Sequence, residues 1–159
     1  MDLLPFFEWT AATSLGQAIS TSTWAFAVIE SIHLLALSVI GGAVLIVDLR
    51  LLGLGLKNQP VATVARDAHP WLVGSLIMMI VTGILLFVSE PMKLYSSQPF
   101  ALKMTCLALG TIFAFTVRRK VTLANHGRVR PIWLKLVGAV SLALWFVVAA
   151  SGRWIGFST

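Results

Sequence analysis

The sequence predicts an all-α integral membrane protein: a four-transmembrane-helix antiparallel bundle with a short interfacial N-terminal helix. The 159-residue chain is 58% hydrophobic and only 11% charged, which is not the composition of a soluble globular domain. Four apolar segments each approach the ~20 residues that a helix needs to cross a hydrocarbon core of ~30 Å. The alternation of a barrel strand is absent, so helices must satisfy the backbone within the bilayer.

The first element is a short helix that we expect to lie in the membrane interface. Its apolar residues surround the single charge of Glu8, a pattern typical of interfacial segments. They are Leu3, Leu4, Phe6, Phe7 and Trp9. Because no basic segment precedes an apolar run at residues 1–5, a signal peptide is not predicted.

The four spans are predicted at about 24–47, 70–89, 99–117 and 132–151. Asn58, Gln59 and Pro60 end the first helix beyond the membrane, and Pro70 is predicted to start or kink the second. Glu90 precedes a proline that stops the second span. The length leaves no room for a separate soluble domain, so residues 1–159 are predicted to form a single membrane domain.

The formal charge of +6 is explained by membrane topology rather than by a nucleic-acid partner. Basic residues gather in the first and third connections between spans. They are Arg50, Lys57, Arg66, Arg118, Arg119, Lys120, Arg128, Arg130 and Lys135. The positive-inside rule then predicts a bacterial inner-membrane protein with both termini outside the cytoplasm. The run 118–120 is expected to meet anionic headgroups.

Glu30 and His33 interrupt the first apolar segment. Ionisable residues at such depth are usually turned inward, partnered and functional. Their i, i+3 spacing places both side chains on one face of the helix. Asp48 follows Glu30 by eighteen residues, about five turns of ~3.6 residues, and therefore shares that face.

Matching the depths of charged residues across the bundle predicts a buried charge network in two clusters. The outer cluster contains Glu30, Lys103 and Arg153. The inner cluster contains Asp48 and Arg50, with Arg66, Asp67 and His69 nearby. Neutralisation of charge for structural reasons explains both clusters as well as a functional role does.

Soft donor side chains are predicted at about the depth of His33. They are Met78 on the second span, and Met104 and Cys106 on the third. Imidazole, thioether and thiol groups suit copper(I) or haem iron. The candidate metal ligands are therefore His33, Met78, Met104 and Cys106, and the candidate haem-binding residues are His33, Met78 and Glu30. Each soft residue is also common as ordinary core packing.

The positions of the other two histidines limit how a haem iron could be ligated. His69 and His126 are predicted at the cytoplasmic end, so neither can share a haem iron with His33 in one subunit. Haem would need His33 with a methionine, His33 alone, or two copies of His33 across a dimer. The Glu-x-x-His pair is also half of a di-iron carboxylate motif, but further carboxylates are missing. Recognised hydrolase and nucleotide-binding signatures are absent, so enzymatic activity is left open.

Several stretches together carry a family resemblance. They are 29–35 (IESIHLL), 47–54 (VDLRLLGL), 70–74 (PWLVG), 82–87 (TGILLF), 100–103 (FALK), 141–145 (SLALW) and 152–155 (GRWI). Over nearly its whole length the chain resembles an uncharacterised family of small bacterial four-helix inner-membrane proteins. More distantly, it resembles the membrane domain of copper-resistance protein D, which implies copper passage. Both resemblances point to Glu30, His33, Asp48, Arg50, Lys103 and Arg153.

The leading functional hypothesis is a membrane-embedded haem- or metal-binding protein, centred on His33, that passes electrons within the membrane. Haem b or copper is the expected cofactor. One alternative is passage of copper or another metal ion across the inner membrane. Another is a cofactor-free structural or assembly subunit. The expected partners are the lipid bilayer and either a second copy of the chain or a larger membrane complex, with no nucleic acid.

Overall fold

The computed structural model describes residues 4–95, 97–124 and 130–155, and these residues form an all-α four-helix bundle. The helices are α1 Leu4–Ala11, α2 Ser14–Thr21, α3 Thr23–Leu52, α4 Val61–Ser89, α5 Pro91–Tyr95, α6 Gln98–Phe113, α7 Arg119–Leu123 and α8 Pro131–Ile155. A π-helical turn, Ala114–Arg118, joins α6 to α7. The predicted fold class is confirmed. His126 and Arg128 lie outside the described residues.

Four helical rods are long and apolar enough to cross a membrane: α3, α4, the continuous rod Gln98–Leu123, and α8. Each is longer than its predicted span. The second differs most, because α4 begins at Val61 and continues through Pro70 instead of starting there. Membrane helices tolerate an internal proline because neighbouring groups satisfy the carbonyl that loses its donor.

The N-terminal segment forms two short helices rather than the one that was predicted. Thr13 caps α2, its hydroxyl oxygen accepting a hydrogen bond from the backbone N–H of Gly16. Phe7 packs edge-on against Phe87 of α4, with ring centroids 5.3 Å apart. Phe87 in turn stacks on Phe100 of α6. This aromatic cluster closes one end of the bundle, which we call the terminal end.

The opposite end, where α3 ends and α4 begins, carries most of the basic residues and is called the basic end. There Gly53 adopts a left-handed conformation, φ 78°, that ends α3. Between the two ends, α3 packs along both α4 and α8, and α6 packs on α8. Three residues at the centre of this packing, Ile40, Met79 and Val148, are at most 2% exposed. Large apolar side chains cover the outside, as contact with lipid requires.

Candidate functional site

His33 is held on both sides of its ring in the half of the bundle near the terminal end. Its Nδ1 lies 2.9 Å from Oγ1 of Thr82 on α4, and its Nε2 lies 3.3 Å from Nζ of Lys103 on α6. The histidine is buried, with 7% of its surface exposed. Three membrane helices therefore meet at one imidazole.

The hydrogen bonds around Thr82 determine which nitrogen of His33 carries the proton. The Thr82 hydroxyl donates its only proton to the carbonyl oxygen of Met78, at 2.7 Å. Its oxygen must therefore accept from Nδ1–H of His33. That leaves Nε2 as an acceptor facing the ammonium group of Lys103, which is the arrangement of a neutral imidazole.

Two glycines leave room for this arrangement. A Cβ on Gly83 would lie 3.3 Å from Cε1 of His33, tighter than ordinary van der Waals contact. A Cβ on Gly152 of α8 would lie 3.5 Å from Nζ of Lys103. The His33 ring therefore packs tightly against the backbone at Gly83, where a small residue is favoured, whereas a Cβ at Gly152 would make an ordinary van der Waals contact with Lys103.

A second buried polar group lies near the basic end. Asp48 of α3 is 0% exposed, and its Oδ1 accepts a hydrogen bond of 2.7 Å from Nε of Arg118. Arg118 also donates from Nη2 to the carbonyl oxygen of Val44, at 3.2 Å. Ser141 of α8 lies beside the Asp48 carboxylate. Apart from this contact with each other, neither Oδ2 of Asp48 nor the Ser141 hydroxyl has a hydrogen-bond partner among the described residues.

The position of Arg118 corrects the sequence prediction for the basic run. Arg118 was expected at the headgroups, but it is 5% exposed and lies inside the bundle, while Arg119 and Lys120 are exposed. Arg118 ends the π-helical turn, and the wider turn shifts the helix face on which the following side chains lie. A fully buried carboxylate needs a cation beside it, so the fold places Arg118 against Asp48.

Buried hydroxyl groups also lie inside the bundle between α3, α4 and α8, each of Ser75 and Ser151 donating to a carbonyl oxygen of its own helix. Asp48 follows His33 by fifteen residues of α3, or ~22 Å along the helix axis. Four buried hydroxyl residues share this length: Thr82 lies beside His33, Ser151 adjoins Gly152 near Lys103, Ser75 lies two turns further along α4, and Ser141 lies beside Asp48. The indole Nε1 of Trp145, one turn from Ser141 on α8, is buried with no partner in the described chain. We call these five residues the polar seam.

The predicted cluster of Glu30 with Lys103 and Arg153 is not formed. Lys103 contacts His33 instead, whereas Glu30 is exposed on the outside of α3. Arg153 is exposed near the end of α8. Arg50, expected beside Asp48, turns to the α3–α4 connection, where its Nε donates to the carbonyl oxygen of Gln59 at 2.7 Å. Of the predicted charge network, only Lys103 and Asp48 face the polar interior.

The soft residues are not gathered around His33. Met78 is 48% exposed and Met104 is 47% exposed, so both face the outside of the bundle, and Cys106 is half-buried. Within the described ranges, no group of three or more His, Cys, Asp or Glu residues is placed to hold a metal ion. The metal- and haem-binding roles of these residues remain predictions.

The spacing of residues in the sequence indicates the contact between Arg118 and Asp48. Lys103 precedes Arg118 by fifteen residues, the same interval that separates His33 from Asp48. The rod that carries Lys103 and Arg118 follows the same direction as α3, and each contact joins residues seventy positions apart. Two helices in parallel register thus place both cations opposite both α3 residues.

Comparison with known protein families places the chain in a family. A profile described as a family of unknown function, DUF6644, matches residues 6–158, and this confirms that the chain falls in an uncharacterised family. No curated protein and no solved structure matches the chain. The more distant resemblance to copper-resistance protein D and the bacterial origin remain predictions.

Proposed function

The chain belongs to this family of unknown function, and we propose that it carries protons through the membrane along the polar seam. In this proposal His33 and Lys103 exchange a proton near the terminal end. Asp48 and Arg118 form the corresponding charged group near the basic end. Ionisable residues inside a membrane bundle commonly serve as such relays.

The observation that carries the proposal is the group of buried polar atoms around Asp48. The Ser141 hydroxyl lies beside the Asp48 carboxylate, and Nε1 of Trp145, one turn along α8, is buried without a hydrogen-bond partner in the described chain. Buried polar atoms are normally bonded to protein or to ordered water. The indole N–H therefore supports a water molecule near Asp48, and such a water can pass a proton to or from the carboxylate.

The contact between Lys103 and His33 supports the same function. Because Nε2 accepts from the ammonium group at 3.3 Å, a proton can move between the two nitrogens without displacement of either helix. The single positive charge is then shared by two side chains. Thr82 holds the ring in place from the other side, so the exchange geometry is fixed before any proton arrives.

The packing of the seam favours a proton over a metal ion. Ile40 and Val148 are 0% exposed and Met79 is 2% exposed, so the centre of the bundle is closely packed. A hydrated cation would need an open pore at this depth. A proton needs only hydrogen-bonding groups along its path, and Ser75 and Ser151 contribute buried hydroxyls.

Proton flux into liposomes tests this function. The full-length protein is reconstituted in K⁺-loaded liposomes with a pH-sensitive dye inside, and valinomycin creates a potential that drives protons inward. We expect faster acidification than in protein-free liposomes. Ser141→Ala and Lys103→Met should remove the protein-dependent rate, since each deletes a polar group of the proposed path.

The matched control is Ser38→Ala, which removes an exposed hydroxyl that donates to the Leu34 carbonyl oxygen of the same helix. This variant should keep the full rate. Circular dichroism and gel filtration establish that each variant is folded. An acidification rate equal to that of protein-free liposomes, or equal rates for Ser141→Ala and the unchanged protein, would overturn the proposal.

Cofactor binding at His33 is the second candidate, and the Thr82 contact favours it. Metal-ligating histidines usually donate their other ring N–H to an oxygen atom, as Nδ1 of His33 does. For Nε2 to bind haem or copper, Lys103 must move away, and Met78, Met104 or Cys106 must turn inward or come from a second copy. Electron transfer or copper passage would then centre on His33.

An optical spectrum and elemental analysis of the purified protein test the second candidate. A Soret band that disappears in His33→Ala would establish haem, and stoichiometric copper without haem would establish a copper site. A colourless, metal-free protein from haem- and copper-replete cells would exclude both. If proton flux were also absent, the remaining function would be that of a cofactor-free structural or assembly subunit. The buried charges would then serve to fix the register of the helices.

The proposal also includes the membrane that holds the protein and the orientation of the protein in it. We place the basic end in the cytoplasm of a cell whose inner membrane holds the protein, because positively charged connections stay on that side. Labelling of a single cysteine, Lys57→Cys in a Cys106→Ser background, by an impermeant maleimide tests this. Labelling in intact cells would contradict the orientation. A homo-oligomer or a larger membrane complex is the proposed assembly.

A further inference from the structure

A small cavity of about 120 Å³ lies at the basic end, between α3, α4 and the segment that runs from the π-helical turn into α7. Its polar lining consists of Arg66, His69, Arg118, Arg119 and Thr122. Its walls include the apolar side chains of Ala43, Leu72 and Phe115. Within the described part of the chain, no acidic side chain lines this cavity, which we call the basic cavity.

His69 offers an unused hydrogen-bonding group to the basic cavity. Its Nε2 is buried and has no partner among the described residues. The ring is held edge-on against Phe115, with centroids 6.1 Å apart and planes at 87°. A buried ring nitrogen in a fixed ring needs a partner that the protein does not supply. The free nitrogen therefore indicates a small ligand or water inside the cavity.

The charge balance around the basic cavity is positive. Arg118 is already offset by Asp48. Arg66 and Arg119 are exposed, and neither forms an ion pair with another described residue. Asp67 is the acidic residue next to Arg66, but it lines a different cavity. The exposed guanidinium groups of Arg66 and Arg119, together with the imidazole of His69, therefore favour the binding of an anion in this cavity.

We infer that the basic cavity binds a phosphate group. Sites for whole cofactors typically measure ~300–1,000 Å³, so a cavity of about 120 Å³ is suited to one small anionic group instead. Arginine side chains match phosphate oxygens with paired, charge-assisted hydrogen bonds. The phosphate group belongs either to a phospholipid headgroup, for which basic pockets between membrane helices are suited, or to free phosphate.

Two binding measurements on the full-length protein distinguish these sources. In the first, inorganic phosphate is titrated into protein in zwitterionic detergent at constant ionic strength, and the unfolding temperature reports binding. In the second, unfolding temperatures are compared in nanodiscs of phosphatidylcholine with increasing fractions of phosphatidylglycerol. Stabilisation by free phosphate indicates a soluble ligand, and stabilisation by phosphatidylglycerol alone indicates a lipid headgroup. Either result supports the inference if it depends on the cavity.

Two variants, Arg119→Gln and Lys120→Gln, test whether the stabilisation depends on the basic cavity. Each removes one exposed positive charge, but only Arg119 lines the basic cavity. Arg119→Gln should weaken binding about tenfold or more, as the loss of a charge-assisted hydrogen bond does, and Lys120→Gln less than about twofold. His69→Asn tests the interior of the cavity and should also weaken binding. Equal effects of the two charge changes, or no stabilisation by either ligand, would overturn the inference.

Discussion

The buried contact between Asp48 and Arg118 gives the sharpest stability prediction. Replacement of Arg118 by Met keeps a long apolar side chain but removes the guanidinium group, so the Asp48 carboxylate loses its ion pair. Asp48 is 0% exposed, and the Ser141 hydroxyl lies beside its carboxylate. That hydroxyl is neutral, so it cannot offset the charge that Arg118 neutralises through the 2.7 Å hydrogen bond from its Nε.

The expected loss follows from the burial of the pair. Removal of one partner of a buried ion pair typically lowers the free energy of unfolding by ~3–5 kcal/mol, because an uncompensated charge stays inside. Lys120→Met is the control: it changes an exposed basic residue two positions further on, outside the basic cavity, and should alter stability by at most ~0.5 kcal/mol. The double variant Asp48→Val/Arg118→Met removes both charges and should recover most of the loss.

Unfolding in detergent micelles with increasing fractions of dodecyl sulfate measures these differences by circular dichroism. The double-mutant cycle isolates the coupling between the two residues. If Arg118→Met unfolds at the same dodecyl sulfate fraction as Lys120→Met, the carboxylate and guanidinium groups do not form a buried pair. If the double variant is as unstable as Arg118→Met, the loss reflects packing rather than charge.

Two further predictions use the same unfolding measurement. Thr82→Val keeps the side-chain shape but leaves Nδ1 of His33 unpaired, so it should lower the free energy of unfolding by ~1–3 kcal/mol. Thr116→Val, which removes an exposed hydroxyl, should change little, and equal losses would contradict the role of Thr82. Gly138→Leu should destabilise by ~1–3 kcal/mol, because a Cβ at that position would lie 3.1 Å from α3. A Cβ on Gly41 meets open space, so Gly41→Leu should be tolerated. If Gly41→Leu lowered the free energy of unfolding more than Gly138→Leu, the α3–α8 packing would be refuted.

The polar contacts show what could be predicted by matching the depths of residues across the bundle. Counting residues along the helices placed Lys103 close to the depth of Glu30 and His33, and Asp48 near the basic end. It predicted Glu30 as the partner of Lys103, whereas His33 takes that place in the structure. At i, i+3 the two side chains are about 60° apart around a helix of ~3.6 residues per turn. A small rotation of α3 therefore buries His33 and leaves Glu30 exposed, and packing against α4 and α8 fixes that rotation.

The sequence by itself determined the membrane environment, the four helices and the end that carries the basic residues. These follow from properties read along one dimension: the length of apolar segments, the low charge content and the placement of Lys and Arg. Only the tertiary structure decided the partners of His33 and Asp48. The π-helical turn before Arg119 changes which face of the rod points inward. Because a buried charge is stable only beside a partner from another helix, Arg118 lies inside the bundle, although its sequence neighbours are exposed.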